Sequence, residues 1–389
     1  MRRIPPFRTL DALRGFAALW VVMDHACAPF LAANDPRYLH QLLYAFSIRG
    51  QLGVIFFFII SGYCITAAAH GALISGKPLW RYGYERVRRI YPPYLGVLLL
   101  GLVSNAAIGF ASAHRWIGPV HHLMVFYPSP RYWIANLFLL QFELHTGMFL
   151  AVFWSLCAEV AFYAIVGVLL GIAQQVAARR GLAGGTLALL LGLALTTYAS
   201  LLSLIVFDNA LFPFDLWHQF ALGSLLFFLI ESKPGTVAGY STHLRRIITS
   251  AAALGAVLTL IFIALRPGVE VDVAHPASRI RSIACLLFCI LLVGLRRIDE
   301  RLAASRWMHP WLWLGACSYS LYLIHPIVLP FADILCRKAG LDGDRYWLTF
   351  WIQCAVAIAA GRIFYYLVER HCISSRQKSR LAEELAAKP

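Results

Sequence analysis

Thr9–Leu31 reads TLDALRGFAALWVVMDHACAPFL, and the reading of this stretch decides the fold. It is mostly apolar and long enough to cross a bilayer, yet it carries Arg14 and His25. The two positions are eleven residues apart. At about 100° per residue, eleven steps return to within roughly 20° of the start, so both share one helical stripe about three turns apart. A cation at the centre of a membrane helix costs on the order of 2.5–3.5 kcal/mol on the insertion scale. The stripe is therefore expected to face a wet cavity rather than lipid. Plainer readings compete with this. Arg14 can snorkel to the cytoplasmic surface and pair with Asp11 three residues earlier, and His25 can be a satisfied core histidine. A cleaved signal peptide would explain the basic N-terminus and Ala26-Cys27-Ala28, but Arg14, Asp24 and His25 spoil its apolar core.

Composition extends the reading to the whole chain. Of 389 residues, 60% are hydrophobic and 14% charged, where a soluble domain carries about a quarter charged residues. The expected fold is all-α: a polytopic membrane protein with about ten transmembrane helices. The candidate segments are roughly 12–33, 46–69, 91–111, 147–172, 185–207, 212–231, 246–265, 280–295, 312–332 and 347–368. With a cytoplasmic N-terminus, 22 of the 34 Lys and Arg fall in inside loops and ten in outside loops, which places both termini in the cytoplasm. This topology accounts for the net charge of +15 without a nucleic-acid partner. One integral-membrane domain is expected over residues 1–369, followed by a short charged cytoplasmic tail over 370–389. The nine cysteines are scattered singly with no C-x-x-C, so they read as small core residues, and no metal site is expected.

The largest outside loop, about 112–146, holds His114, Trp116, His121, His122, Tyr127, Tyr132, Trp133 and His145. An interfacial aromatic belt is the preferred reading and a lid over an external substrate the alternative. Trp133–Phe142 is too short to cross. His121-His122 is a weak metal site, because neighbours on a helix point 100° apart.

Four further stretches carry candidate chemistry. In GQLGVIFFFIISGYCIT (Gly50–Thr66), glycines allow close helix approach and Ser61 can hydrogen-bond across the gap; helix packing alone also explains them. In RYGYERVRRIYPPYL (Arg81–Leu95), Arg86, Arg88 and Arg89 crowd the cytoplasmic mouth. Guanidinium forks suit the phosphates of a nucleotide-bearing donor such as acyl-coenzyme A, although topology or anionic lipid explains them too. Pro92-Pro93 is expected in the first turn of the following helix. In FWSLCAEVAFY (Phe153–Tyr163), Trp154 precedes an intramembrane Glu159, which needs a partner: an arginine, His25 or an acceptor hydroxyl. CSYSLYLIHPIVL (Cys317–Leu329) carries a second intramembrane histidine, His325, with Tyr319 and Tyr322 nearby, and YYLVERH puts Glu369 near the cytoplasmic face.

Taken in order, LDALRGFAALWVVMDH, GVIFFFIISGYCIT, RRIYPPY, FWSLCAEVAFY and SYSLYLIH resemble the acyltransferase 3 family of integral-membrane acyltransferases, which includes bacterial O-antigen and nodulation-factor acetyltransferases. The resemblance runs nearly end to end. One departure is VERH, where the family commonly has proline after Glu-Arg and this chain has His371. The resemblance implies about ten helices around an internal cavity in the bacterial inner or plasma membrane. It implies transfer of an acyl group, most often acetyl, from cytoplasmic acyl-coenzyme A to a hydroxyl of a glycan, lipid-linked sugar or other envelope acceptor. No bound cofactor is implied beyond that donor substrate. By the same resemblance Arg14 and His25 match the family's essential pair and Arg86, Arg88 and Arg89 its arginine-rich loop. Asp11, Ser61, Trp154, Glu159, Tyr319 and His325 are expected as supporting cavity residues. Membrane lipid is the expected surrounding partner, with room for a separate envelope-assembly protein.

His25 is expected as general base and Arg14 as a ligand for a coenzyme A phosphate or a stabiliser of developing negative charge; a covalent acyl-histidine is the alternative route. A proton-coupled transporter is the rival function, since buried His, Arg and Glu mark such carriers too, but no internal repeat supports it.

Overall fold

The computed structural model describes residues 7–27, 30, 37–114, 129–206, 212–231, 242–265, 279–341 and 345–373. The His121-His122 pair, residues 115–128 of the aromatic loop and residues 374–389 of the charged tail lie outside the described residues. All regular structure among the described residues is helical. In chain order the helices are α1 (Thr9–Ala26), α2 (Tyr38–Ser47), α3 (Leu52–Ile74), α4 (Leu79–Ala113), α5 (Pro130–Phe138), α6 (Phe153–Val206), α7 (Phe214–Ile230), α8 (Thr242–Leu265), α9 (Arg279–Ala303), α10 (His309–Ala316), α11 (Ser318–Lys338) and α12 (Tyr346–Phe364). Each of the ten segments expected from the sequence falls on one or more of these. Six described helices are long and apolar enough to cross a membrane by length and composition. The chain is a multi-pass membrane protein.

Three boundaries differ from the sequence reading, each for a physical reason. α4 does not begin at Pro92-Pro93 but runs through them from Leu79. The carbonyls that lose their partners to proline are those four residues back, of Arg88 and Arg89, at the polar end of the helix. α6 spans 54 residues but breaks at Gly181, whose φ of 75° and ψ of 168° suit only glycine. The halves fold back on each other: a Cβ on Gly185 would sit 2.7 Å from the Ala173 carbonyl. The segment expected over 312–332 breaks at Cys317 into α10 and α11, and Ser318 Oγ donates to the Gly315 carbonyl at 2.9 Å across the break.

The chain divides into two compact units. The first comprises 1–10, 54–86 and 158–308. Its core is the seam between α3 and α7, two apolar helices brought into backbone contact by glycine. A Cβ on Gly62 would lie 1.8 Å from the Phe220 carbonyl oxygen, and one on Gly223 would lie 1.9 Å from that of Ile59. Closest approach lets the rings interleave: Phe58 and Phe162 stack on Phe220 with centroids 4.3 and 4.5 Å away. Small residues take this role in membranes because lipid gives no hydrophobic drive for helix association. α7, α8 and α9 pack on one another.

A buried polar network sits in the same unit. Tyr63 donates to Glu231 at 2.8 Å, and Glu231 pairs with Arg296 Nε at 2.9 Å. Arg296 also lies 3.8 Å from Asp299. Asp299 in turn accepts from the Arg8 and Thr9 backbone amides at 3.1 and 2.8 Å and from the Thr9 hydroxyl at 2.5 Å. The free amides at the start of α1 are thus capped by a carboxylate some 290 residues away.

The second unit comprises 11–53, 87–157 and 309–389. Here α5 and the turn after it wrap around Asn136, which is fully buried. Its amide donates to the carbonyls of Tyr132 and Gly147 at 3.0 and 3.1 Å, while its oxygen accepts from Gln141 and from the Phe149 amide at 3.0 and 2.9 Å. These bonds hold the chain in its turn as far as Phe149, and α6 starts shortly after, at Phe153. α1 meets α10 at two glycines: a Cβ on Gly15 would lie 2.5 Å from the Trp311 carbonyl, and one on Gly315 would lie 1.9 Å from that of Asp11. α11 packs along α12, with Gly361 against Leu321. Trp20 of α1 stacks on Phe46 of α2 at 5.0 Å and donates to its carbonyl at 2.8 Å.

Two outcomes test this packing. Gly62→Val is expected to destabilise the detergent-solubilised protein by about 3 kcal/mol. Gly71→Ala in the same helix, with open space at its Cβ, is expected to change stability by less than about 0.5 kcal/mol; equal melting temperatures for the two variants would contradict the seam. Asp299→Ala is expected to cost about 1–2 kcal/mol and to speed hydrogen exchange in the first turn of α1. Unchanged exchange there would remove Asp299 as its cap.

Candidate active site

The sequence-selected residues fall into both units, and each set has its own geometry. In the second unit, α1 is one uninterrupted helix from Thr9 to Ala26, so Arg14 and His25 do share a stripe. At 1.5 Å per residue they stand about 16 Å apart along the axis.

The Arg14 end is a cluster of charge. Its guanidinium lies 3.9 Å from Asp11, with only 18% of the side chain exposed. Arg14 and Arg89 also act electrostatically on Glu369, a buried carboxylate. Glu369 closes a π-helical turn, Tyr365–Glu369, in which the backbone loosens by one residue per turn. Ser320, at the start of α11, holds it through its amide at 3.1 Å and its hydroxyl at 2.5 Å. Two cations on separate helices therefore share one anchored anion. Arg88, four residues before the first proline of α4, is exposed and donates to the His371 carbonyl at 3.1 Å. Tyr319 donates to the Ile90 carbonyl at 3.0 Å, tying α11 to α4 just beyond the arginines.

The other end of the stripe is a histidine pair. The His25 and His325 rings are 4.9 Å apart, edge to face at 68°. His25 Nδ1 is 2.9 Å from the Val21 carbonyl oxygen. A carbonyl oxygen has no proton to give, so Nδ1 carries the hydrogen and the neutral ring keeps its lone pair on Nε2. The imidazole is exposed, whereas its neighbour His325 is fully buried. Asp24 acts electrostatically on His25 from the same turn. Trp154 stands half-buried in the first turn of α6, and the next residue, Ser155, shares a 2.7 Å hydrogen bond with the Tyr322 hydroxyl.

In the first unit, Glu159 accepts from Ser61 at 3.1 Å and from the Tyr163 hydroxyl. Two hydroxyls hold this carboxylate, and the Ser61 contact is the hydrogen bond across the helix gap that the sequence allows for that serine. Arg86 lies over the rings of Tyr82 and Tyr163 at 5.8 and 6.0 Å. Its Nε is buried and makes no hydrogen bond among the described residues. Arg86 thus stands apart from Arg88 and Arg89 in environment, although all three ride on α4. Among the described residues no three His, Cys, Asp or Glu side chains come together as a metal site.

Comparison with known proteins places the chain. A family model described as "Acyltransferase domain" matches residues 7–366. "Putative O-acetyltransferase SACOL0978" of Staphylococcus aureus strain COL is 26% identical over 395 residues, covering 95% of this chain and 57% of the relative. "Putative O-acetyltransferase SAS0844" of strain MSSA476 is 25% identical over 386 residues, covering 92% and 56%. This chain therefore spans a little over half the length of the curated relatives it matches. No solved structure matches it. The match over nearly all of its helices shows that the chain belongs to the acyltransferase domain family.

Proposed function

We propose that this protein is a membrane O-acyltransferase that moves an acyl group, most readily acetyl, from cytoplasmic acyl-coenzyme A to a hydroxyl of a glycan or other envelope acceptor in a bacterial plasma membrane. The observation that carries the reading is the state of His25. Its Nδ1–H is committed to the Val21 carbonyl, which leaves the lone pair on Nε2, and the residue is exposed. A neutral imidazole held in one tautomer is a general base ready for a hydroxyl proton, and such a base is worth about 10²–10⁴-fold in rate. Family membership and the names of the relatives point to the same chemistry.

In this mechanism the acceptor hydroxyl loses its proton to His25 Nε2 as its oxygen attacks the thioester carbonyl. The tetrahedral oxyanion collapses, the carbon–sulfur bond breaks, and the coenzyme A thiolate leaves with the proton returned by the imidazolium. Arg14 stands too far along α1, about 16 Å, to reach the same oxyanion. Its role is at the phosphate end of the donor. There Arg14, paired at rest with Asp11, and Arg89 lie within the field of Glu369 and turn to phosphate oxygens when the donor binds, with Arg88 at the exposed edge. Paired guanidinium–phosphate bonds are short and charge-assisted. Arg86, resting on the rings of Tyr82 and Tyr163 with its Nε uncommitted, is a separate candidate for binding an anionic group within the first unit.

Protein held in nanodiscs, given radiolabelled acetyl-coenzyme A and a crude bacterial envelope extract, is expected to move label into a glycan or lipid fraction. His25→Ala is expected to lower kcat by at least about 10²-fold with little change in the KM for donor. Arg14→Ala is expected to raise the KM for acetyl-coenzyme A by about tenfold or more, the loss of one charge-assisted contact. Near-normal turnover by a folded, inserted His25→Ala protein would overturn the mechanism. Solute flux without donor consumption would replace transfer with transport.

A further inference from the structure

His325 poses a question that acyl transfer by His25 does not answer. It is fully buried, and its Nδ1 lies 3.3 Å from the Leu321 carbonyl, one turn back on α11. The same logic that fixes His25 fixes this ring: Nδ1 donates, and the lone pair of the neutral imidazole is on Nε2. Yet His325 Nε2 is buried and has no hydrogen-bond partner among the described residues. A buried acceptor left without a donor is costly, so this nitrogen calls for a donor that binding would bring. The orphan nitrogen belongs to the ring 4.9 Å from His25. Neither Nδ1 can turn away without breaking its bond to the helix backbone.

We propose that His325 Nε2 accepts a hydrogen bond from a second hydroxyl of the acceptor, beside the one that His25 deprotonates, so that the histidine pair selects acceptors with neighbouring hydroxyls. The inference rests on the acyl-transfer reading and narrows its acceptor to a sugar or polyol carrying such a pair. Two hydroxyl oxygens on adjacent ring carbons lie about one hydrogen-bond length apart, roughly 2.8 Å. The two imidazoles, with centroids 4.9 Å apart, offer one acceptor nitrogen for each oxygen. The two acceptor nitrogens divide the work. His25, open to solvent, takes a proton during the reaction. His325, buried in the unliganded protein, takes a hydrogen bond from the acceptor once it enters and holds the sugar ring in register. An isolated hydroxyl would leave His325 Nε2 still without a donor, and this difference is the source of selectivity.

The test uses the full chain in nanodiscs with radiolabelled acetyl-coenzyme A and a bacterial envelope extract, either untreated or oxidised with periodate, which cleaves neighbouring diols. Wild-type protein is expected to label the untreated extract and to lose at least about nine-tenths of that transfer, a tenfold drop, with the oxidised one. His325→Phe, which keeps a flat ring without the acceptor nitrogen, is expected to raise the KM for the extract acceptor about tenfold or more with the donor KM unchanged. His325→Gln, whose amide can place an acceptor near the Nε2 position, is expected to recover much of that loss and covers the case in which the Phe variant does not fold. Undiminished transfer to oxidised extract, or an unchanged acceptor KM in both folded variants, overturns the selection proposal and leaves acyl transfer standing. Silence of the wild-type protein with every extract overturns the acyl-transfer reading, and this proposal falls with it.

Discussion

Water is scarce where this protein keeps its charges, and the cost of an ionised group without a partner governs most of what its polar residues do. In a hydrocarbon surrounding, a lone cation or carboxylate destabilises the span that carries it. Two carboxylates show the solution most clearly. Glu231 is held by Tyr63 and Arg296, and Glu369 is held by both polar groups of Ser320 within the field of Arg14 and Arg89. A buried ion pair adds little net stability over an apolar pair of equal volume, but losing one member is strongly destabilising. Such clusters therefore fix helix position more than they add stability. That is what a helix carrying both Arg14 and His25 requires.

The same constraint explains the cap on α1. The first turn of a membrane helix presents amides with no partner in the helix itself. Asp299 supplies the missing acceptors and is itself within reach of Arg296. A helix anchored at its first turn carries its later residues in a fixed phase. Asp299 thus fixes the first turn of the helix that carries Arg14 and His25. Glycine does the complementary work. Gly15 and Gly315 let α1 and α10 touch backbone to backbone, as Gly62 and Gly223 do for α3 and α7. Where helices approach so closely, rotation about the axis is blocked, and the polar stripe keeps one direction.

How much of this is readable from the chain depends on the range of the interaction. Hydrophobic runs are local, and each of the ten segments they mark falls on helix. The Arg14–Asp11 pair and the shared stripe with His25 are also local, being set by helical spacing alone. What has no local signal stays hidden. His325 lies 300 residues from His25 in sequence, and nothing in either stretch shows that the rings meet. Ser320 as the clasp of Glu369 and Asp299 as the cap of α1 are of the same kind. Glu159 was readable as a carboxylate in need of a partner, but the partners, Ser61 and Tyr163, were not among the choices its charge suggested. The start of α4 is missed for a different reason. Pro92-Pro93 signals a helix start by propensity, but prolines near the polar end of a membrane helix free carbonyls that polar surroundings can satisfy, and the helix continues through them.

Central to the account is that His25 works as an exposed proton acceptor. Chemical rescue tests it most directly: turnover of His25→Ala in nanodiscs, with labelled acetyl-coenzyme A and envelope acceptor, measured against rising concentrations of free imidazole. The account predicts saturable recovery of transfer, because the exposed position of the lost ring admits a small base, and no recovery for Arg14→Ala under the same conditions. A folded His25→Ala protein that binds donor normally but gains nothing from imidazole would contradict it.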